Sequence, residues 1–192
     1  MLRSLYLLGS VYLLLSGAVL VTVLRNQSPR STAAHSATAT PYSGPAGEWF
    51  ARLKPNCNAV EVETALRQSP PPASAEGAGY GAACYALAGR IDQARALILD
   101  RARGDRAYAA SIVFNIGHPV ADAGDDRSAG PIMELVLEFW PENYMALYHA
   151  GMSEYTLGQL STARQHLERF LELYKENDGW HSNAVTVLDR LR

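Results

Sequence analysis

The chain has little of what marks most enzymes and nucleic-acid binders. Its 17 basic residues are outnumbered by 19 acidic ones. Setting aside Arg3 and Arg25 near the amino terminus leaves 15 basic against 19 acidic, so a nucleic-acid partner is disfavoured. There is no G-x-S-x-G, no H-E-x-x-H and no glycine-rich phosphate loop. The two cysteines, Cys57 and Cys84, lack C-x-x-C spacing, and no histidine cluster beside either completes a zinc site. In an oxidising compartment they can close a disulfide across the first helical units; otherwise they are two separate buried thiols. His35, His118, His149, His166 and His181 are scattered along the chain. No catalytic residue, cofactor or metal is therefore assigned, and enzyme activity is not expected.

What the sequence does carry begins with an apolar run. Ser4 to Leu24 contains 21 residues without a charge. At about 1.5 Å per helical residue this spans a hydrocarbon core of roughly 30 Å, so residues 1–25 read as a transmembrane signal anchor. The competing reading is a cleavable signal peptide ending near Ser16-Gly17-Ala18, yet strongly apolar residues continue to Val23. Arg3 on one side is balanced by Arg25 and Arg30 on the other, so the positive-inside rule barely votes. A short leading segment favours an amino terminus in the cytoplasm and a domain outside it, with the cytoplasmic-facing arrangement and secretion after cleavage as alternatives. Residues 26–47, rich in Ser, Thr, Ala and Pro, read as a flexible linker.

Residues 48–192 show no sustained period-2 alternation, whereas apolar residues recur three and four apart, so the domain is expected to be all-α. Leu160, Ala163, Leu167, Phe170, Leu171 and Tyr174 form one such stripe. Gly89, Gly124 and Gly158 are separated by 35 and 34 residues, and three further columns share those intervals: Ala82, Gly117, Gly151; Ala94, Ala129, Ala163; Ile98, Met133, Leu167. The small residues of the first column let paired helices approach, the glycines supply turns, and each unit is a helical hairpin.

On these columns, and on the stretches GAACYALAGRIDQARALI and LYHAGMSEYTLGQLSTARQHLERFLELY, the chain resembles the tetratricopeptide repeat (TPR) family. The resemblance covers Ala75 to Lys175, with Glu154 standing where the family places an aromatic. It implies a right-handed superhelical array of about three TPR-like hairpins with flanking capping helices, preceded by a single transmembrane helix. The repeats fall at residues 75–109, 110–143 and 144–177, with a closing helix at 180–191. Trp49 to Leu53 and Ala59 to Leu66, the latter with an Asn58/Glu61 capping box, form an amino-terminal hairpin stopped by Pro70-Pro71-Pro72.

The stretch GHPVADAGDDRSAGP, residues 117–131, looks at first like a metal loop, but register accounts for most of it. Counted from Asp122, the sixth residue is Arg127 and the twelfth Met133, so a calcium loop fails. His118-Pro119 is unexplained by register: the first helix of that unit should end early or kink there. The distortion either makes a pocket with His118 and Asp122 or marks a degenerate repeat. The resemblance further implies a short concave groove for a peptide or protein segment, lined by Phe114, His118, Met145, Tyr148, Met152 and Tyr155, with Ser111, Ala83, Ala86 and Leu87 beside them. The function this implies is a membrane-anchored scaffold or adaptor. The alternatives are burial of those residues under a capping helix, and a structural subunit of an envelope complex or homo-oligomer associating through Trp140, Tyr144 and Trp180.

Overall fold

Turn geometry sets the architecture. The computed structural model describes residues 42–192, and the expected anchor and most of the expected linker lie outside them. Nine α-helices follow one another, with no strand among the described residues: α1 (Gly44–Leu53), α2 (Val62–Gln68), α3 (Ala75–Leu87), α4 (Ile91–Leu99), α5 (Arg106–Asp122), α6 (Asp126–Phe139), α7 (Tyr144–Thr156), α8 (Leu160–Leu173) and α9 (Gly179–Arg190). The helical domain thus starts at Gly44, inside the segment expected to be linker, because Trp49, Phe50 and Leu53 of α1 are buried. No helix among the described residues is long and apolar enough to cross a membrane.

The three turns at Gly89, Gly124 and Gly158 are copies of one another, with φ of +72°, +78° and +80°. In each, the glycine N–H donates to the carbonyl three residues back, at Ala86, Ala121 and Tyr155. The next N–H, of Arg90, Asp125 or Gln159, donates five residues back, to Tyr85, Val120 or Glu154. This is the Schellman arrangement, and it needs a left-handed residue that glycine alone supplies without steric cost. The hairpins α3/α4, α5/α6 and α7/α8 therefore repeat in the register read from the sequence.

Close helix approach follows from the small-residue column. A Cβ added at Gly117 would lie 2.5 Å from Ile132 Cγ2, and one at Gly151 would lie 2.7 Å from Leu167 Cγ. Ala82, Ala94, Ala129 and Ala163 are fully buried, as are Ile98, Met133 and Leu167. The junctions between units differ from each other. α3 lies along α5, with Gly79 against Ile112, whereas α6 lies along α7, with Gly130 against Ser153, and α5 and α7 approach only sparingly. Arg95 of α4 ties the first unit to Glu138 of α6 through a forked contact of 2.7–3.0 Å. The last hairpin is closed by α9, whose Ala184 and Val187 pack with Leu147, Tyr148, Leu167 and Phe170.

Two helix starts are set by side-chain caps, and of the two alternatives for the cysteines the bonded one is found. α6 begins at Asp126, since the Asp125 side chain caps it at Ser128 N–H, 3.2 Å. Pro131 accordingly lies beyond the first turn. α2 begins at Val62, because Asn58 caps the preceding turn by accepting from Val60 and Glu61 N–H and donating to the Glu61 carboxylate at 2.6 Å. Cys57 and Cys84 form a disulfide with Cα atoms 4.8 Å apart, joining the α1–α2 connection to the buried middle of the first repeat.

Two stability changes follow. The disulfide spans 27 residues, so the Cys57→Ser, Cys84→Ser variant is expected to lose about 3–4 kcal/mol in urea unfolding. Gly151→Ala is expected to lose about 1–3 kcal/mol, because the fully buried Leu167 has nowhere to move, while Gly104→Ala, facing open space, changes stability by less than about 1 kcal/mol. Equal losses from the two glycine variants would contradict the close-approach account.

Candidate functional site

The site is built where α5 and α7 meet. α5 does not end at His118-Pro119: it runs on to Asp122, and Ala123 N–H donates to Pro119 O at 3.1 Å. Ala109, Ala110, Val113 and Gly117 are buried along one side and hold the helix in place. The proline leaves the Asn115 carbonyl without its helical donor, but Asn115 and Pro119 both face solvent, so that carbonyl is open to water. The unbroken helix puts His118 and Asp122, four residues apart, on one face. α7 starts at the Asn143 cap, whose side chain accepts from Ala146 N–H at 3.0 Å, and carries His149 into the same place.

His118 Nε2 and His149 Nε2 lie 3.0 Å apart. Asp122 Oδ1 is 3.6 Å from His118 Nε2 and 3.7 Å from His149 Nε2. These are the residues that could hold a metal; all three donors lie within 4.8 Å of one another. His149 is buried and His118 half-buried, while Asp122 is open to solvent. Burial, reinforced by the neighbouring His118, pushes the His149 pKa down to about 4, against a smaller opposing pull from Asp122 and Asp126. His149 is therefore neutral at neutral pH.

Aromatic rings extend the site to both sides. Phe114 stacks on His118 at 4.9 Å and meets the edge of Trp140 at 6.4 Å. On the other side, Trp180 of α9 approaches His149 at 5.6 Å and Tyr148 at 4.9 Å. Trp140 and Trp180 are each more than a third exposed, at 38% and 37%. Among the residues expected in a groove, Phe114 and His118 therefore come together, half-buried, beside these two tryptophans.

Tyr148 does not belong to an open groove. It is only 4% exposed because α9 covers it: its ring packs on Phe170 and Trp180, and its hydroxyl accepts from Asn183 Nδ2 at 3.4 Å. Ala83 and Ala86 are likewise buried in the core. Met152 and Tyr155 are half-buried against the α7–α8–α9 cluster, and Met145 is half-buried near the start of α7. Glu154 is buried and pairs with His166 Nδ1 of α8 at 2.9 Å. The carboxylate that stands where an aromatic was expected is thus buried with a polar partner on the second helix of its own hairpin.

The joining of His149 to His118 and Asp122 is absent from the sequence reading. The two histidines are 31 residues apart and lie on helices of different hairpins. A signal was present all the same. Shifted by the repeat interval of 34, His149 falls in the column of Asn115, about one helical turn from His118.

The low pKa of His149 has a sign. In chelator-treated protein, folded and unfolded states are both neutral at His149 above about pH 6.5, so stability is unaffected there. Between about pH 6.5 and 4 the unfolded chain takes up a proton that the folded chain does not, so stability falls as pH falls, by about 2–3 kcal/mol in all. Urea midpoints across this range, compared with His149→Gln, should show the fall in the parent and a smaller one in the variant; parallel curves would contradict it. Comparison with known proteins returned no match to a family model, to a curated protein or to a solved structure, so function has to be argued from the site itself.

Proposed function

We propose that this chain is a membrane-anchored interaction module, a short TPR-like superhelical array held by its amino-terminal segment on the extracytoplasmic side, which binds a peptide or protein segment as a scaffold or adaptor. The reading is of a binding protein rather than an enzyme. Three copies of one hairpin turn support the repeat character. The Cys57–Cys84 disulfide supports an oxidising compartment, since such bonds are rare where thiols are kept reduced.

The observation that carries the reading is the surface of Phe114, His118, Trp140 and Trp180. Four rings from α5, the end of α6 and α9 border the loosely packed α5–α7 junction, and both tryptophans remain open to solvent. Rigid amphipathic rings of this kind dominate binding energy at interfaces, because they bury large area at low entropic cost. With Tyr148 covered, the binding face lies toward α5 and the two tryptophans.

Proximity labelling from the carboxyl terminus of the intact chain tests both parts. Labelled envelope or extracellular proteins are expected, and a Phe114→Ala, Trp140→Ala variant should lose the strongest partner by a factor of about 30 or more in affinity while keeping the parent's helical content by circular dichroism. Labelled cytosolic proteins would reverse the topology. Partner binding unchanged in the variant would remove the proposed face, and a concentration-dependent mass abolished by the same substitutions would favour the self-assembling subunit.

A further inference from the structure

We infer that His118, Asp122 and His149 form a binding site for one divalent transition-metal ion of the zinc class, with three protein ligands and a fourth position open to solvent. The case begins with the spacings. Asp122 Oδ1 stands 3.6 and 3.7 Å from the two Nε2 atoms, too far for a hydrogen bond to either, yet it faces both. Distances of 3.0, 3.6 and 3.7 Å describe a triangle with a point about 2.0–2.1 Å from every corner, the bond length zinc makes to imidazole nitrogen and carboxylate oxygen. Donor atoms on a tetrahedral ion of that bond length are separated by about 3.3–3.4 Å, close to the mean of these three sides.

The donor set selects the ion class. Two neutral imidazoles and one carboxylate suit zinc, copper or nickel, whereas calcium and magnesium require shells of oxygen. Each Nε2 must present a lone pair, so both rings carry their proton on Nδ1 when the ion is bound. In the metal-free protein, one Nε2–H donates to the other Nε2 across 3.0 Å; when the ion binds, that proton passes through solvent to Nδ1 of the same ring, so no net proton is released.

The surroundings fix the ligands. His118 and Asp122 stand four apart on α5, the i, i+4 spacing that lets a helix present two donors to one ion. Phe114 stacks on the His118 ring, and Tyr148 and Trp180 hold the His149 ring at its edges, 5.3 and 5.6 Å away. Asp122, about half exposed, and the partly exposed His118 border water while His149 does not, so the vacant coordination position opens outward on their side. A donor atom from water or from a bound partner can complete the shell.

The test uses the full-length untagged chain in detergent, stripped with chelator and dialysed. Titration with Zn2+ should give one ion per chain, and Co2+ should give the visible absorption bands of a four-coordinate ion, while Ca2+ does neither. Asp122→Asn and His118→Gln each should weaken Zn2+ binding at least tenfold. His181→Gln should leave it unchanged. Both ligand variants lie on the open side of the site, so they test the inference even if His149 variants do not fold. Absence of stoichiometric Zn2+ binding, equal uptake of Ca2+, or Zn2+ affinity unaltered in Asp122→Asn and His118→Gln would overturn it. Because the readout is metal binding alone, it stands or falls apart from partner capture.

Discussion

Each hairpin exists because its first helix offers no bulk where its second helix crosses it. At Gly117 and Gly151 the facing side chains, Ile132 and Leu167, occupy the space a β-carbon would need. That contact fixes the rotation of both helices. Once it is set, the fully buried alanines and the large residues one turn further, Ile98, Met133 and Leu167, can only face inward. The glycine turns then close each pair without strain, since a left-handed residue costs glycine nothing. Packing at this density tolerates little change in volume, which is why one methyl group at the crossing outweighs most surface substitutions.

The same constraint explains how α5 keeps its course through a proline. Gly117, the residue before His118, is pinned against Ile132, and the buried Val113 and Ala110 are pinned one and two turns earlier. Leaving the helix at His118 would surrender that packing, whereas continuing forfeits one backbone hydrogen bond on the solvent side. Burial of several side chains outweighs one exposed bond. A local rule about proline therefore yields to tertiary contact, and the result is a helix that carries His118 and Asp122 to the same face.

How much was legible follows from the kind of interaction involved. The hairpins were readable because small residues and turn glycines leave a periodic trace, and Gly89, Gly124 and Gly158 occupy equivalent turns in the structure. Helix starts were less readable, because a cap depends on which of several neighbouring side chains reaches the free N–H; Asp125 does so ahead of α6, and Asn58 caps the turn before α2 instead of the helix itself. The groove was legible only in part. Placing Tyr148 required knowing that α9 folds back over α7, and no spacing within α7 records that. The pairing of His118 with His149 was hidden for a related reason: it depends on how two units lean together, and here the two junctions differ, α3 along α5 but α6 along α7.

That asymmetry is what opens the face. Had the second junction copied the first, α7 would lie along α5, and apolar packing would fill the space between them. Instead α7 stacks on α6, the two first helices diverge, and the rings of Phe114 and Trp140 are left beside His118 with only partial cover. α9 supplies the opposite wall. Trp180 seals the edge of His149 while staying more than a third exposed, so the closing helix both ends the array and shapes the site. The buried imidazole keeps its neutral form because burial disfavours the charged one, and the carboxylate beside it stays in contact with water. An interior neutral donor, a bordering acid and flanking aromatic rings thus meet where the packing of the array leaves the α5–α7 junction loose.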